Sequence, residues 1–290
     1  MIENGIDVLI SLEGIRSPLL NRIFEIVTAL GEHTVLVVVL AVIYFTVDKE
    51  LAKRIMFITM SSLCINGVVK NFVKLPRPFA SGKVSCVRPG TATGYSFPSG
   101  HTQSFSTWSS ALALKYRYVW MAMLSVLGTL AVAFSRMYLG AHYPGDVAAG
   151  AVLGFTMSIV FSLACDKIKD KHVLYTAVIL AMTPFALFFL FEADVHFADF
   201  YKIYGMLSGL LCASLFEEKY VQLDIHTTAV KKVVRVVLGI LLALALKEGL
   251  KLIFDSDSAR LMLVLASVRY FILIVVVMGL YTLAIKKLKL

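Results

Sequence analysis

The sequence predicts an all-α protein, a polytopic membrane helix bundle of about nine spans. Three observations predict it. Apolar residues make up 59% of the 290 and charged residues only 16%, where ordinary soluble domains carry roughly 25% charged residues. Long apolar stretches recur along the whole chain. Lys and Arg sit in short clusters between those stretches, as they do in the cytoplasmic loops of membrane proteins.

At the N-terminus Ile2, Ile6, Leu9, Ile10 and Leu12 recur at helical spacing, with Glu3, Asp7 and Glu13 on other faces. Ser17-Pro18 restarts a helix through Leu19, Leu20, Ile23, Phe24 and Val27. Residues 1–29 are therefore expected to form amphipathic helices lying in the membrane interface. Spans are expected at approximately 30–47, 51–69, 102–114, 119–134, 147–164, 173–191, 201–216, 233–254 and 261–285. The third and fourth are short.

Connections bearing Lys49/Lys53/Arg54, Lys115/Arg117, Lys167/Lys169/Lys171, Lys219/Lys231/Lys232/Arg235 and the tail Lys286/Lys287/Lys289 alternate with connections poor in Lys and Arg, including the acidic stretch 192–199. That alternation predicts an outside N-terminus and an inside C-terminus. An integral, multi-pass protein of the cell (plasma) membrane is expected.

The net charge of +9 does not point to nucleic acid, because the basic residues form no stripe interleaved with aromatics. Four cysteines form no disulfide framework: Cys64 and Cys212 fall in apolar runs, Cys165 sits beside a basic cluster and Cys86 lies in a polar loop. The first residues lack the positive n-region of a signal peptide.

Three polar segments interrupt the apolar pattern, and the loop charges put all three at the outer face. The second span ends on Lys70-Asn71-Phe72-Val73-Lys74-Leu75-Pro76-Arg77-Pro78, and the third opens on Phe97-Pro98-Ser99-Gly100-His101. Ser135-Arg136-Met137-Tyr138-Leu139-Gly140-Ala141-His142-Tyr143-Pro144-Gly145-Asp146 joins the fourth to the fifth. Lys70, Arg77 and Arg136 supply cations for a phosphate dianion, and Arg forks grip two oxygens at once. Pro98 and Gly100 suit a helix start, whose free N–H groups and positive dipole end bind phosphate oxygens. Pro144-Gly145 suggests a second helix start, from which Asp146 reaches back one turn and holds His142 in one tautomer. With His101 from another helix, the pair suits an attack on phosphorus followed by protonation of a leaving group.

These segments resemble the three-part signature of the type 2 phosphatidic acid phosphatase superfamily: Lys70-x6-Arg77-Pro78, Pro98-Ser99-Gly100-His101 and Ser135-Arg136-x5-His142-x3-Asp146. No signature position departs from the pattern. The resemblance implies an integral-membrane lipid phosphate phosphatase, a hydrolase of lipid metabolism acting through a phosphohistidine. His142 would be the nucleophile, Asp146 would orient it and His101 would protonate the departing lipid oxygen. Lys70, Arg77, Ser99, Gly100 N–H and Arg136 would hold the phosphate. No metal and no cofactor is expected, because the cations supply the electrostatics and no Asp/Glu cluster offers an oxygen cage. The implied division is 1–29 interfacial helices, 30–191 a six-span phosphatase core and 192–290 three additional spans.

The expected partners are the bilayer and a lipid phosphate: phosphatidate, an isoprenoid phosphate or diphosphate, a sphingoid phosphate or phosphatidylglycerophosphate. The sequence sets no oligomeric state. A phosphotransferase of the same chemistry is an alternative, and a transporter is a second. Among other polar residues, His33 with Glu32 is expected at the interface without a direct role. Glu248 and Arg269, at similar depth in the last two spans, are expected to pair.

Overall fold

The structure is a computed structural model that describes residues 2–290, and its described residues form helices joined by loops, with no strand. Two N-terminal helices, α1 (Ile2–Gly14) and α2 (Pro18–Ala29), precede α3 (His33–Val42), which widens into a π-helical stretch Ile43–Val47. Then follow α4 (Lys49–Val73), α5 (Gly100–Tyr116), α6 (Val119–Tyr138), α7 (Pro144–Lys167) and α8 (Lys171–Glu192). The chain continues through α9 (Ala198–Phe216), α10 (Ala229–Ile253), α11 (Ala259–Val275) and α12 (Tyr281–Lys287). Caps and breakers set several of these limits. Ser17 caps α2 by accepting from Leu20 N, with Pro18 in the first turn, and Asp170 caps α8 by accepting from His172 N and Val173 N.

Each of the nine expected spans is helical, but among the described residues five helices are long and apolar enough to cross a membrane. The count rises to six if the bent pair Pro18–Ala29 and His33–Val47, angled at 52°, is one broken span. Length and composition therefore support a multi-pass bundle without fixing nine crossings. The same bent pair bears on α2, expected to lie in the interface. The third expected span is longer than its sequence suggested, with 17 residues in α5, or about 25 Å, still short of a ~30 Å hydrocarbon core.

The chain divides into two compact units. The first comprises residues up to Leu36 together with Ile65–Leu163, and the second comprises Val37–Cys64 and Ala164–Leu290. Helix α4 contributes to both. All eight expected site residues belong to the first unit.

In that unit α5 is the polar element. Thr102, Gln103, Ser104, Ser106, Thr107 and Ser110 are all buried, so a helix too polar for lipid turns those groups inward. Gly150 of α7 lets the two helices meet: a Cβ there would lie 2.6 Å from the Ser99 carbonyl oxygen. The first unit also packs Ile6 and Leu9 of α1 against Val84 and Tyr143, next to His142.

In the second unit Lys53, counted among loop charges in the sequence, is buried and bonds Glu217 Oε2 at 3.0 Å. Lys49 donates to Glu217 Oε1 at 2.8 Å and the Leu223 N–H to the same oxygen at 2.9 Å. A buried carboxylate so supplied with donors stays charged, which explains why the α4 start tolerates two lysines. The expected Glu248–Arg269 pair gives way to a neighbour contact, Glu248 with Lys247 at 3.5 Å, and Arg269 Nε has no hydrogen-bond partner among the described residues.

Candidate active site

Four helix ends of the first unit, and the loops beside them, build the site. Lys70 rides the last turn of α4, and Arg77 follows in the loop. Ser99 precedes the first residue of α5, Gly100, with His101 next. Arg136 lies in the last turn of α6, His142 in the connection, and Asp146 in the first turn of α7. Both expected helix starts, at Gly100 and at Pro144, are observed. Because each of these residues sits at a helix end or in the adjoining loop, apolar spans bring the polar groups together without placing them in mid-span. The Ser99 N–H donates to the Asp146 carbonyl at 3.0 Å, joining the second segment to the third.

His142 is fixed by both ring nitrogens. Arg77 Nη1 lies 3.0 Å from Nε2. A guanidinium only donates, so Nε2 holds the lone pair and Nδ1 carries the proton. That Nδ1–H faces Asp146 Oδ2 at 3.4 Å. The same carboxylate oxygen accepts from the Tyr143 N–H at 2.9 Å and from the Ser96 hydroxyl in a short bond. His142 is therefore neutral, and its contact with Asp146 is a long hydrogen bond rather than an ion pair. Burial, followed by the charges of Arg77, Arg136 and Lys70, pushes the His142 imidazole well below its usual value.

Arg77 is held by carbonyls of the polar loop: Nε donates to Gly94 O at 3.0 Å, Nη2 to Thr93 O, and Nη1 also to Ala141 O at 3.0 Å. Arg136 is fully buried. Its Nη1 donates to Thr28 Oγ1 at 3.1 Å, whereas Nε and Nη2 have no partner among the described residues. His101 Nε2 is likewise buried without a partner. Arg136, Arg77 and Lys70 stand close enough for their charges to act on both imidazoles. A buried cluster of cations with an unmatched guanidinium edge has the chemistry of a receptor for a compact dianion. Among the described residues no three His, Cys, Asp or Glu side chains converge in a metal-ligand group.

The structure thus places the eight expected site residues in one region of the first unit, and adds others. Ser96 on Asp146 and Thr28 on Arg136 carry no mark in the sequence, since lone hydroxyl residues are common and their partners are distant in the chain. His33, expected at the interface, stands close enough to His101 to act on it electrostatically.

Residues 51–170 match the family model described as PAP2 superfamily. Residues 201–290 match a second, described as PAP2 superfamily phosphatase, transmembrane extension. The chain belongs to the PAP2 superfamily. Among curated relatives it is 28% identical over 142 residues to an undecaprenyl-diphosphatase of Sulfolobus acidocaldarius, covering 49% of this chain and 68% of that one. It is 32% identical over 78 residues to a lipid A 4'-phosphatase of Bacteroides thetaiotaomicron, covering 27% of this chain and 35% of that one. It is 25% identical over 226 residues to a dihydrosphingosine 1-phosphate phosphatase of Saccharomyces cerevisiae, covering 71% of this chain and 55% of that one. The last two matches span little more than half of the relative or less. Among solved structures, the first transmembrane PAP2 type phosphatidylglycerolphosphate phosphatase from Bacillus subtilis shares the fold, with a TM-score of 0.50 and 21% identity over 58% of this chain and 87% of that one.

Proposed function

We propose that this PAP2 protein hydrolyses a long-chain lipid phosphate or diphosphate at the outer membrane face through a phosphohistidine on His142. The observation that carries the reading is the orientation of His142, whose Nε2 holds a lone pair beside Arg77 while Nδ1–H faces Asp146. On phosphate binding, Arg77 Nη1 turns from Nε2 to a phosphate oxygen. Nε2 attacks phosphorus in line, the N–P bond forms and the P–O bond to the lipid breaks. His101, which takes up a proton from solvent as the phosphate dianion binds and offsets the surrounding cations, gives that proton to the departing oxygen and is left neutral, and the developing imidazolium of His142 is stabilised by Asp146. A water molecule, deprotonated by His101, then attacks phosphorus, and the N–P bond returns its electron pair to His142. Lys70, Arg77, Arg136, Ser99 and the Gly100 N–H carry the charge on the phosphate oxygens.

Lipid phosphates are the substrate class because the site lies at the ends of apolar helices and the named relatives are all phosphatases of lipid-borne phosphate. The test is phosphate release by purified protein in detergent, with EDTA and no added acceptor, across isoprenoid, sphingoid and glycerolipid phosphates. Release from at least one, with acid-labile phosphate on wild type and none on His142→Ala, is expected. Transfer only to an added acceptor would make the protein a phosphotransferase. Orientation is tested by an impermeant thiol reagent on intact cells, with single cysteines at positions 81 and 169 in a cysteine-free background. Labelling at 169 but not at 81 would reverse it.

A further inference from the structure

Arg136 presents an asymmetry. One arm is held, Nη1 donating to Thr28 Oγ1 at 3.1 Å and reaching Thr91 Oγ1 at 3.5 Å. Nε and Nη2 have no partner among the described residues. Those two N–H groups form the side-on edge of a guanidinium, spaced for two oxygens of one phosphate. A long side chain with an unmatched edge swings through many rotamers unless its far arm is restrained. Thr28 is the nearer restraint. It is fully buried in α2, outside both segments matched by the family models. A hydroxyl suits the task, because it accepts a hydrogen bond without cancelling the positive charge. A carboxylate at this position would neutralise the cation that a dianion needs.

We propose that Thr28 is a positioning residue for phosphate recognition. By accepting from Arg136 Nη1 it aims the Nε/Nη2 edge at the phosphate, so that the N-terminal helix α2 completes the site. The inference rests on the reading of Arg136 as a phosphate ligand. Thr91 makes the longer contact, at 3.5 Å against 3.1 Å, so its hold on Arg136 is the weaker one.

The experiment measures vanadate affinity by calorimetry on the purified full chain in detergent, together with KM and kcat on a lipid phosphate. Thr28→Val keeps the side-chain shape and removes the acceptor. It is expected to weaken vanadate and lower kcat/KM by about ten-fold, the size of a lost hydrogen bond to a charged group. The melting temperature should stay that of wild type. Thr28→Ser should restore both constants to within about two-fold, and Thr91→Val should cost less than Thr28→Val. Vanadate affinity in Thr28→Val within about two-fold of wild type, while Arg136→Ala loses it, overturns the positioning role alone. Retained affinity in Arg136→Ala overturns the phosphate-ligand reading and the inference with it. If Thr28→Val melts early, Thr28→Cys, with a weaker sulfur acceptor in a similar volume, is held to the same criterion.

Discussion

Arg77 Nη1 lies 3.0 Å from Nε2 of His142, so the ring atom with the lone pair is capped by the cation that a phosphate would engage. One group thus sets the tautomer of the free protein and faces the incoming anion. Replacing Arg77 by Lys leaves one charge but removes the fork and the loop contacts to Thr93 and Gly94. The expected outcome is a fall in kcat/KM of about 10²–10³-fold, the range for losing a donor to a developing oxyanion. Phosphate release from the best lipid substrate measures it. Activity within a few-fold of wild type would remove Arg77 from the transition state.

Asp146 and Ser96 differ in expected weight. Asp146→Asn removes the charge facing Nδ1 and permits the opposite tautomer, and a loss of about 10²–10⁴-fold in phosphoenzyme formation is expected. Ser96→Ala removes one donor to Asp146 while the Tyr143 N–H remains, so the loss should be about ten-fold or less. Rapid-quench trapping of the phosphoenzyme separates the two. Equal losses would mean that Ser96 does more than steady the carboxylate.

The two histidines are separable by leaving group. His142→Ala should be inactive on every phosphate ester. His101→Ala should lose about 10²–10⁴-fold on a lipid phosphate, whose alkoxide needs a proton, and much less on an aryl phosphate with a nitrophenolate leaving group. The kcat/KM ratio of the two substrates in each variant is the measurement. Phosphoenzyme that persists in His142→Ala and vanishes in His101→Ala would exchange their roles.

Acid dependence follows from the burial of His142. Its folded value lies below the ordinary 6.5, so the imidazole stays unprotonated and nucleophilic as pH falls past ~6.5. The acid limb of kcat/KM on an aryl phosphate, corrected for substrate ionisation, should therefore have its midpoint below that value. Conformational stability of the ligand-free protein carries the matching sign. The unfolded chain binds the proton first, so the His142 contribution is full above ~6.5 and declines as pH falls toward the folded value. A limb centred at or above 6.5 would contradict the buried, cation-flanked setting of His142.

Gly150→Ala tests the seat of the α5 start, where the proposal puts the phosphate. The added methyl would meet the Ser99 carbonyl, a backbone atom, at 2.6 Å. Overpacking of this kind costs about 1–3 kcal/mol. The melting temperature should fall, and phosphate affinity should fall with it because the α5 start moves. A melting temperature equal to that of wild type would show that α5 and α7 do not meet this closely.

The helices and the residues of the candidate site are legible in the sequence, because apolar length reports burial in lipid and polar groups at helix ends stand out against it. Lys70, Arg77, Ser99, Gly100, His101, Arg136, His142 and Asp146 could each be named from their segments, as could the helix starts at Gly100 and Pro144. What tertiary structure decided was pairing. That Arg77 meets Nε2 of His142, that Ser96 reaches Asp146 and that Thr28 holds one arm of Arg136 are contacts across 65, 50 and 108 positions. No local pattern encodes such distances. Lys53 gives the same lesson in the second unit: its charge suggested a loop exposed to water, yet it is buried against Glu217, 164 positions away. A charged side chain takes its place from the partner that compensates it, and only the folded chain supplies that partner.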